Sequence, residues 1–123
     1  MIIADTSIWI DFFRDREPTH ARLNELLERG MVLAFGGVFG ELLSGARGRR
    51  EADLVESYWK SLPRADESGI WIEAGKLSSA RGLRARGVGL VDAAILALSE
   101  RTGAAIWTLD RRLEDAAGRS AVV

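Results

Sequence analysis

The chain has 123 residues, 47% of them hydrophobic and 28% charged, with a formal net charge of −1 and a mean hydropathy near zero. This composition excludes a disordered chain, and the length predicts one domain spanning residues 1–123. Because the chain has no cysteine and one histidine, disulfides, thiolate metal sites and a two-histidine catalytic pair are excluded. No apolar run approaches the ~18 residues of a membrane span and no basic leader begins the chain, so we expect a cytoplasmic protein.

The apolar pattern predicts strands that alternate with helices. In chain order it predicts a strand at 2–4, helices at 7–14 and 19–29, a strand at 31–35, helices at 38–46, 51–61, 70–86 and 91–101, a strand at 104–108, a helix at 111–116 and an edge strand at 120–123. Short apolar strands separated by helices are typical of a parallel sheet covered on both faces. The predicted fold class is therefore α/β, a three-layer α/β/α sandwich with a central, mainly parallel sheet.

Two acidic residues come directly after predicted strands. Asp5 follows the first strand and precedes two hydroxyl residues, Thr6 and Ser7, one of which we expect to cap the next helix. Asp110 follows the strand that ends near Thr108. In parallel sheets, ligand sites form beyond the carboxyl ends of the strands. We therefore expect these two acids to share one edge of the sheet.

Two further acids lie beside apolar helical sequence. Glu41 lies between Phe39 and Leu42, and Asp92 begins an apolar helix. If these two acids converge with Asp5 and Asp110, mutual repulsion raises some of their pKa values unless a cation neutralises them. Oxygen donors without sulfur favour a hard ion, Mg²⁺ or Mn²⁺, which activates water for phosphodiester hydrolysis. The supporting hydroxyls are Thr6, Ser7 and Thr108.

Each acid taken alone has an ordinary structural explanation. Asp5 and Asp110 can be helix caps, and Asp92 can be a partner of the helix dipole. Glu41 is the hardest to explain in this way, because its helical neighbours place it beside an apolar stripe.

Arginine supplies 15 of the 17 basic residues. Its guanidinium group suits bidentate contacts with phosphate. The candidate RNA-binding residues lie in two clusters: Arg47, Arg49 and Arg50, and Arg84 and Arg86. Such clusters are also typical of solvated helix faces.

Four motifs together resemble the PIN-domain ribonucleases, and most closely the VapC-type toxins. The motifs are Asp-Thr-Ser-Ile-Trp-Ile-Asp-Phe-Phe at 5–13, Glu-Leu-Leu-Ser-Gly at 41–45, Leu-Val-Asp-Ala-Ala-Ile-Leu-Ala at 90–97 and Thr-Leu-Asp at 108–110. The resemblance covers nearly the whole chain, in the family's order. The chain departs from the family at Gly36, Gly37 and Gly40, where polar or β-branched residues are more usual.

The resemblance implies Mg²⁺- or Mn²⁺-dependent endonucleolytic cleavage of RNA. Asp5, Glu41 and Asp92 match the family's core metal-binding acids, and Asp110 matches a fourth acid. Residues 83–87 match the basic helix end common in these toxins. VapC-type toxins pair as homodimers and are held inactive by a cognate VapB antitoxin, so the resemblance implies these partners as well.

Other classes remain as alternatives or are excluded. Aspartyl-phosphate phosphatases need a second Asp where this chain has Ser7, and receiver domains need a phosphate-pairing lysine after a strand. A P-loop is absent. A catalytically silent PIN-like module that binds RNA or protein, and a PIN nuclease of RNA processing, both remain open.

Overall fold

The computed structural model describes residues 1–122, in which seven α-helices surround a small parallel sheet. The strands are β1 (Ile2–Ala4) and β2 (Ala105–Trp107). The helices are α1 (Thr6–Phe13), α2 (Thr19–Glu28), α3 (Gly36–Ser44), α4 (Arg49–Ser61), α5 (Ile70–Arg81), α6 (Leu90–Thr102) and α7 (Arg111–Ala117), followed by a 3-10 turn at Gly118–Ser120. The predicted α/β sandwich with a parallel sheet is confirmed.

The sheet is centred on β1 and β2, which pair in parallel with Ile2 beside Ala105 and Ala4 beside Trp107. Isolated parallel bridges widen the sheet by joining Ile2 to Val32, Ala34 to Arg64 and Ile106 to Ala121. All five segments run in the same direction. The carboxyl ends of β1 and β2 therefore lie at one edge, and the chain leaves that edge at Asp5 and Thr108.

Two predicted strands are smaller than the sequence pattern indicated. The segment at 31–35 forms only the bridges at Val32 and Ala34, because the helical residues from Gly36 onward follow at once. The segment at 120–123 contributes only the bridge at Ala121, and residue 123 lies outside the described residues. Regular strands at these two places were a wrong prediction.

The predicted helix at 70–86 is too long. Helix α5 ends at Arg81, because Gly82 adopts a left-handed conformation with φ 61° and ψ 36° that terminates the helix. Leu83 is nevertheless fully buried, so the apolar spacing continues past the helix end. Arg84 and Arg86 consequently lie in turns rather than on a basic helix end.

Packing in the core fixes the helices that begin at the carboxyl edge of the sheet. Residues 93–99 of α6 are all buried, which sets Asp92 at the half-buried first turn of that helix, directly before its buried stretch. In α1, Ile8 and Trp9 are buried and hold its first turn against the sheet. Across residues 1–122, none of the helices has both the length and the apolar character needed to span a membrane.

Candidate metal-binding acidic site

Asp5 joins β1 to α1. Its backbone is extended, with φ −78° and ψ 178°, and its Oδ1 accepts a hydrogen bond from the backbone N–H of Ile8 at 3.2 Å. Asp5 is therefore the N-cap of α1, and Thr6 is already its first helical residue. The prediction that Thr6 or Ser7 caps this helix was wrong, because Asp caps as well as Ser or Thr and comes first at the strand end.

Two hydroxyl groups also bind the Asp5 carboxylate. The Ser7 hydroxyl donates to Oδ1 at 2.5 Å, and the Thr108 hydroxyl donates to Oδ2. Each hydroxyl oxygen in turn accepts a backbone N–H from beyond β2, from Leu109 at 3.1 Å and from Asp110 at 2.9 Å. These bonds join the carboxyl ends of β1 and β2 around a single buried carboxylate.

Burial raises the pKa of Asp5 above its ordinary value, because the charged form is desolvated. The hydrogen bonds from Ser7, Thr108 and Ile8 act in the opposite direction, since they stabilise the carboxylate. The Ser7 and Ile8 donors bind Oδ1 and the Thr108 hydroxyl binds Oδ2, so both oxygens of the Asp5 carboxylate are held in place.

Asp92 lies in the first turn of α6 and is half-buried. Burial, followed by the charges of Asp5, Asp110 and Glu41, raises its pKa to about 6. No hydrogen bond within the described residues offsets this rise. These contributions place Asp5, Glu41 and Asp110 close enough to Asp92 to act on its carboxyl group.

Glu41 lies on the exposed side of α3, a helix whose other face buries Val38, Phe39 and Leu42. The Thr6 hydroxyl donates to its Oε1 at 2.8 Å. This bond links the first residue of α1 to the acid of α3. Of the three predicted supporting hydroxyls, two therefore contact Asp5 and one contacts Glu41.

Asp110 is the N-cap of α7, where its Oδ1 accepts from the backbone N–H of Arg112 at 2.8 Å. The Arg112 guanidinium is also close, with Nε 3.8 Å from the same oxygen. A Cβ at Gly87 would lie 2.8 Å from Arg112 Cδ, so this side chain packs directly against the turn before α6. The sequence reasoning missed Arg112. The available signal was its position two residues after Asp110, where a capping Asp accepts a backbone N–H.

The four acids share one electrostatic environment without forming a ready-made ligand cage. Within residues 1–122, no three acidic or histidine side chains are arranged to hold one metal ion. The chemistry of the donor set nevertheless fits a hard divalent cation, because every available ligand is a carboxylate or hydroxyl oxygen. The positive charge of such an ion would also offset the repulsion that raises the pKa of Asp92.

The five predicted RNA-binding arginines are all exposed. Arg47 precedes α4, and its side chain lies 3.7 Å from Glu51. Arg49 and Arg50 begin α4, and Arg84 and Arg86 follow α5. In the part of the chain that is described, none of the five makes a hydrogen bond or ion pair with the four acids.

The sequence also missed Glu67, which precedes α5 and contacts the beginning of α3. Its Oε2 accepts from the backbone N–H of Gly36 at 2.9 Å. Two glycines at the start of a helix, with no Ser, Thr, Asp or Asn before them, indicate that a cap must come from elsewhere. Sequence alone could not identify the capping residue, because Glu67 is 31 positions away.

Comparison with known proteins identifies the family. The PIN domain family model matches residues 2–119. Two relatives, each named Ribonuclease VapC32 and found in the CDC 1551 and H37Rv strains of Mycobacterium tuberculosis, are 34% identical over 125 residues, which cover 99% of this chain and 94% of each relative. The chain therefore belongs to the PIN-domain family, and the resemblance to VapC-type members predicted from its motifs is confirmed.

Proposed function

We propose that this protein is a divalent-metal-dependent endoribonuclease that hydrolyses phosphodiester bonds of RNA. The observation that carries the proposal is the pKa of Asp92, raised to about 6 by burial and by the three other carboxylates. Strong perturbation of a carboxyl group by like charges is typical of catalytic and metal-binding sites. The name of the two relatives, Ribonuclease VapC32, supports RNA as the substrate.

The four acids are the proposed metal ligands: Asp5, Glu41, Asp92 and Asp110. When bound, Mg²⁺ or Mn²⁺ supplies a more acidic water as nucleophile and stabilises charge on the phosphate. Asp5 offers its carboxylate, whose position is fixed by Ser7 and Thr108. The other three carboxylates have to turn towards it, because they are not yet arranged as a cage.

The supporting hydroxyls have distinct proposed roles. Ser7 and Thr108 hold the Asp5 carboxylate and oppose the rise in pKa that burial causes, which favours the charged form that a cation binds. Thr6 restrains Glu41 through the 2.8 Å hydrogen bond. Groups that orient metal ligands in this way commonly change metal affinity or activity 10- to 100-fold when they are lost.

The exposed arginines supply proposed contacts to the RNA backbone. Arg47, Arg49 and Arg50 form one cluster and Arg84 and Arg86 the other. Because the formal net charge of the chain is −1, RNA has to be attracted by such local clusters rather than by bulk charge.

The similarity to VapC32 supports a toxin of a VapBC-type toxin-antitoxin pair. The corresponding proposed partner is a VapB-like antitoxin that blocks the acidic site, and the proposed assembly is a homodimer in the cytoplasm. Co-expression with the product of the neighbouring small reading frame tests this assignment. Co-purification of the two chains with loss of RNA cleavage is expected, whereas an unaffected nuclease would favour a PIN enzyme of RNA processing.

The nuclease function itself is tested with purified protein and RNA. We expect cleavage in Mg²⁺ or Mn²⁺, no cleavage with excess chelator, and a loss on the order of 10³-fold in Asp5→Asn. Asp53→Asn, which changes an exposed acid of α4, is the matched control and should retain full activity.

Two outcomes would contradict the proposal. Cleavage that persists both in chelator and in Asp5→Asn would exclude the acidic site as its source. RNA binding without any metal-dependent cleavage would instead favour the catalytically silent module.

A further inference from the structure

Helix α3, which carries Glu41, begins without a cap of its own. Its N-cap residue is Phe35, which has no side-chain hydrogen bond to the helix, and its first turn contains no acid. The Gly36 N–H donates instead to Oε2 of Glu67, a residue that is far along the chain and only partly exposed. Glu67 thus supplies from another segment both the hydrogen bond and the negative charge that a helix start favours.

Neighbouring side chains approach the backbone closely at Gly36 and Gly37. A Cβ at Gly36 would lie 3.0 Å and 3.2 Å from the two carboxylate oxygens of Glu67. A Cβ at Gly37 would lie 2.6 Å from the Phe35 ring and 3.1 Å from the Trp71 indole. Neither glycine has a positive φ, so the close approach of neighbouring side chains rather than backbone freedom favours glycine here. The glycine pair therefore accompanies close contacts with Glu67, Phe35 and Trp71.

Glu41 depends on this anchored helix start. It follows Gly36 by five residues, about 7.5 Å along the helix axis. Gly36, Gly37 and Gly40 all weaken a nine-residue helix, since glycine favours the unfolded backbone. The Glu41 side chain is exposed, and its Thr6 hydrogen bond restrains only the carboxylate end. Val38, Phe39 and Leu42 pack α3 against the core, and the hydrogen bond from Gly36 to Glu67 adds a restraint at the start of the helix.

We propose that Glu67 is a positioning residue for the metal site, because it anchors α3 through Gly36 and so sets the position of Glu41. This inference rests on the proposed function, in which Glu41 is a metal ligand. The proposed role of Glu67 runs through α3, because its Oε2 accepts the Gly36 N–H at 2.9 Å.

The test is Mn²⁺ binding by titration calorimetry, which needs neither RNA nor turnover. We expect Glu67→Ala to weaken Mn²⁺ binding about tenfold. Glu67→Gln keeps one acceptor oxygen and should bind Mn²⁺ within about twofold of the parent protein, because the hydrogen bond to Gly36 is retained. Gly36→Ala should weaken Mn²⁺ binding in the same direction but by less than Glu67→Ala, since its Cβ would lie 3.0 Å from the carboxylate and press against it. Glu25→Ala, which breaks an exposed ion pair with Arg29 at 3.8 Å, is the matched control and should leave Mn²⁺ binding unchanged.

A double-mutant comparison separates positioning from a general loss of stability. In a Glu41→Gln background, Glu67→Ala should weaken Mn²⁺ binding no further, because Glu67 acts through Glu41. An equal loss in both backgrounds, or unchanged binding in folded Glu67→Ala and Gly36→Ala, would overturn the positioning role alone. If Glu41→Gln affects neither Mn²⁺ binding nor RNA cleavage, the proposed metal role of Glu41 fails together with this inference.

Discussion

Asp5 and Asp92 both belong to the proposed acidic site, but their surroundings affect their charged forms differently. Burial raises the pKa of both carboxyl groups. Hydrogen bonds from Ser7, Thr108 and Ile8 then favour the charged form of Asp5, whereas three carboxylates disfavour the charged form of Asp92. In the turn after β1, the Asp5 carboxylate is therefore stabilised by hydrogen bonds. In the first turn of α6, no hydrogen bond among the described residues stabilises the Asp92 carboxylate. The comparison indicates which part of the site stabilises the fold and which part needs a cation.

The largest predicted effect is on stability, where alanine substitutions at Asp5 and Asp92 should have opposite results. Asp5→Ala removes the N-cap and leaves two hydroxyls and the Ile8 N–H without their acceptor, so the free energy of unfolding should fall by about 1–3 kcal/mol. Asp92→Ala removes a repelled charge and should raise it by up to about 1 kcal/mol. Urea unfolding of the metal-free proteins measures both values, and equal losses would remove the distinction.

The second prediction concerns how stability depends on pH. The pKa of Asp92 is raised from 3.8 to about 6, so the folded metal-free protein binds this proton more tightly than the unfolded chain. Its contribution to the free energy of unfolding is full below about pH 3.8 and is lost as pH rises through about 6. After allowance for solvent screening, the loss should be about 1–2 kcal/mol.

Asp92→Asn isolates that contribution, because its side chain does not titrate. Between pH 4 and 7, the difference in unfolding free energy between the metal-free variant and the metal-free parent should therefore grow in favour of the variant. Asp53→Asn serves as the control, since Asp53 is exposed on α4. Parallel pH profiles for the parent protein and Asp92→Asn would show that the pKa of Asp92 is not raised in the folded protein.

The third prediction sharpens the scaffold side of the comparison. Thr108→Val removes a donor to Asp5 and an acceptor for the Asp110 N–H, so the rate of RNA cleavage should fall about tenfold. Thr6→Val removes only the bond to Glu41 and should cost less. Thr102→Val is the matched control, because the Thr102 hydroxyl donates to the Leu98 carbonyl at the far end of α6. A tenfold loss in the control would point to general instability.

The smallest predicted effects, on RNA binding, come from the exposed arginine clusters, which contact neither Asp5 nor Asp92. Arg49→Gln with Arg50→Gln should weaken RNA binding a few-fold and reduce the salt slope of binding by about 1 for each lost phosphate contact. Arg84→Gln with Arg86→Gln should act similarly. Arg29→Gln, at the end of α2 and paired with Glu25, is the control. An unchanged salt slope in both double variants would remove these clusters from the RNA-binding surface.

The sequence predicted where the acids lie in the fold better than it predicted the contacts that surround them. Asp5 and Asp110 were identifiable because an apolar strand ending in a carboxylate leads to the site edge of a parallel sheet. The identity of the cap was missed, since Asp5, Thr6 and Ser7 are all good caps and only the backbone conformation decides between them. Contacts across the fold, such as Thr6 with Glu41, have no local sequence pattern.

Helix ends show the same limit. The spacing of Leu83 continues the apolar stripe of α5, so periodicity carried the predicted helix past Gly82. The actual end depends on the left-handed conformation of that glycine, which spacing cannot report. Glu67 was missed for a related reason, because its partner Gly36 belongs to a different element.

The most direct test of the electrostatic account is the pKa of the Asp92 carboxyl group, measured by ¹³C NMR titration with and without Mg²⁺. In the metal-free protein we expect a pKa of about 6, and with saturating Mg²⁺ a fall of two units or more, because the cation offsets the charges of Asp5, Glu41 and Asp110. A pKa near 4 in the metal-free protein that Mg²⁺ does not change would contradict the account.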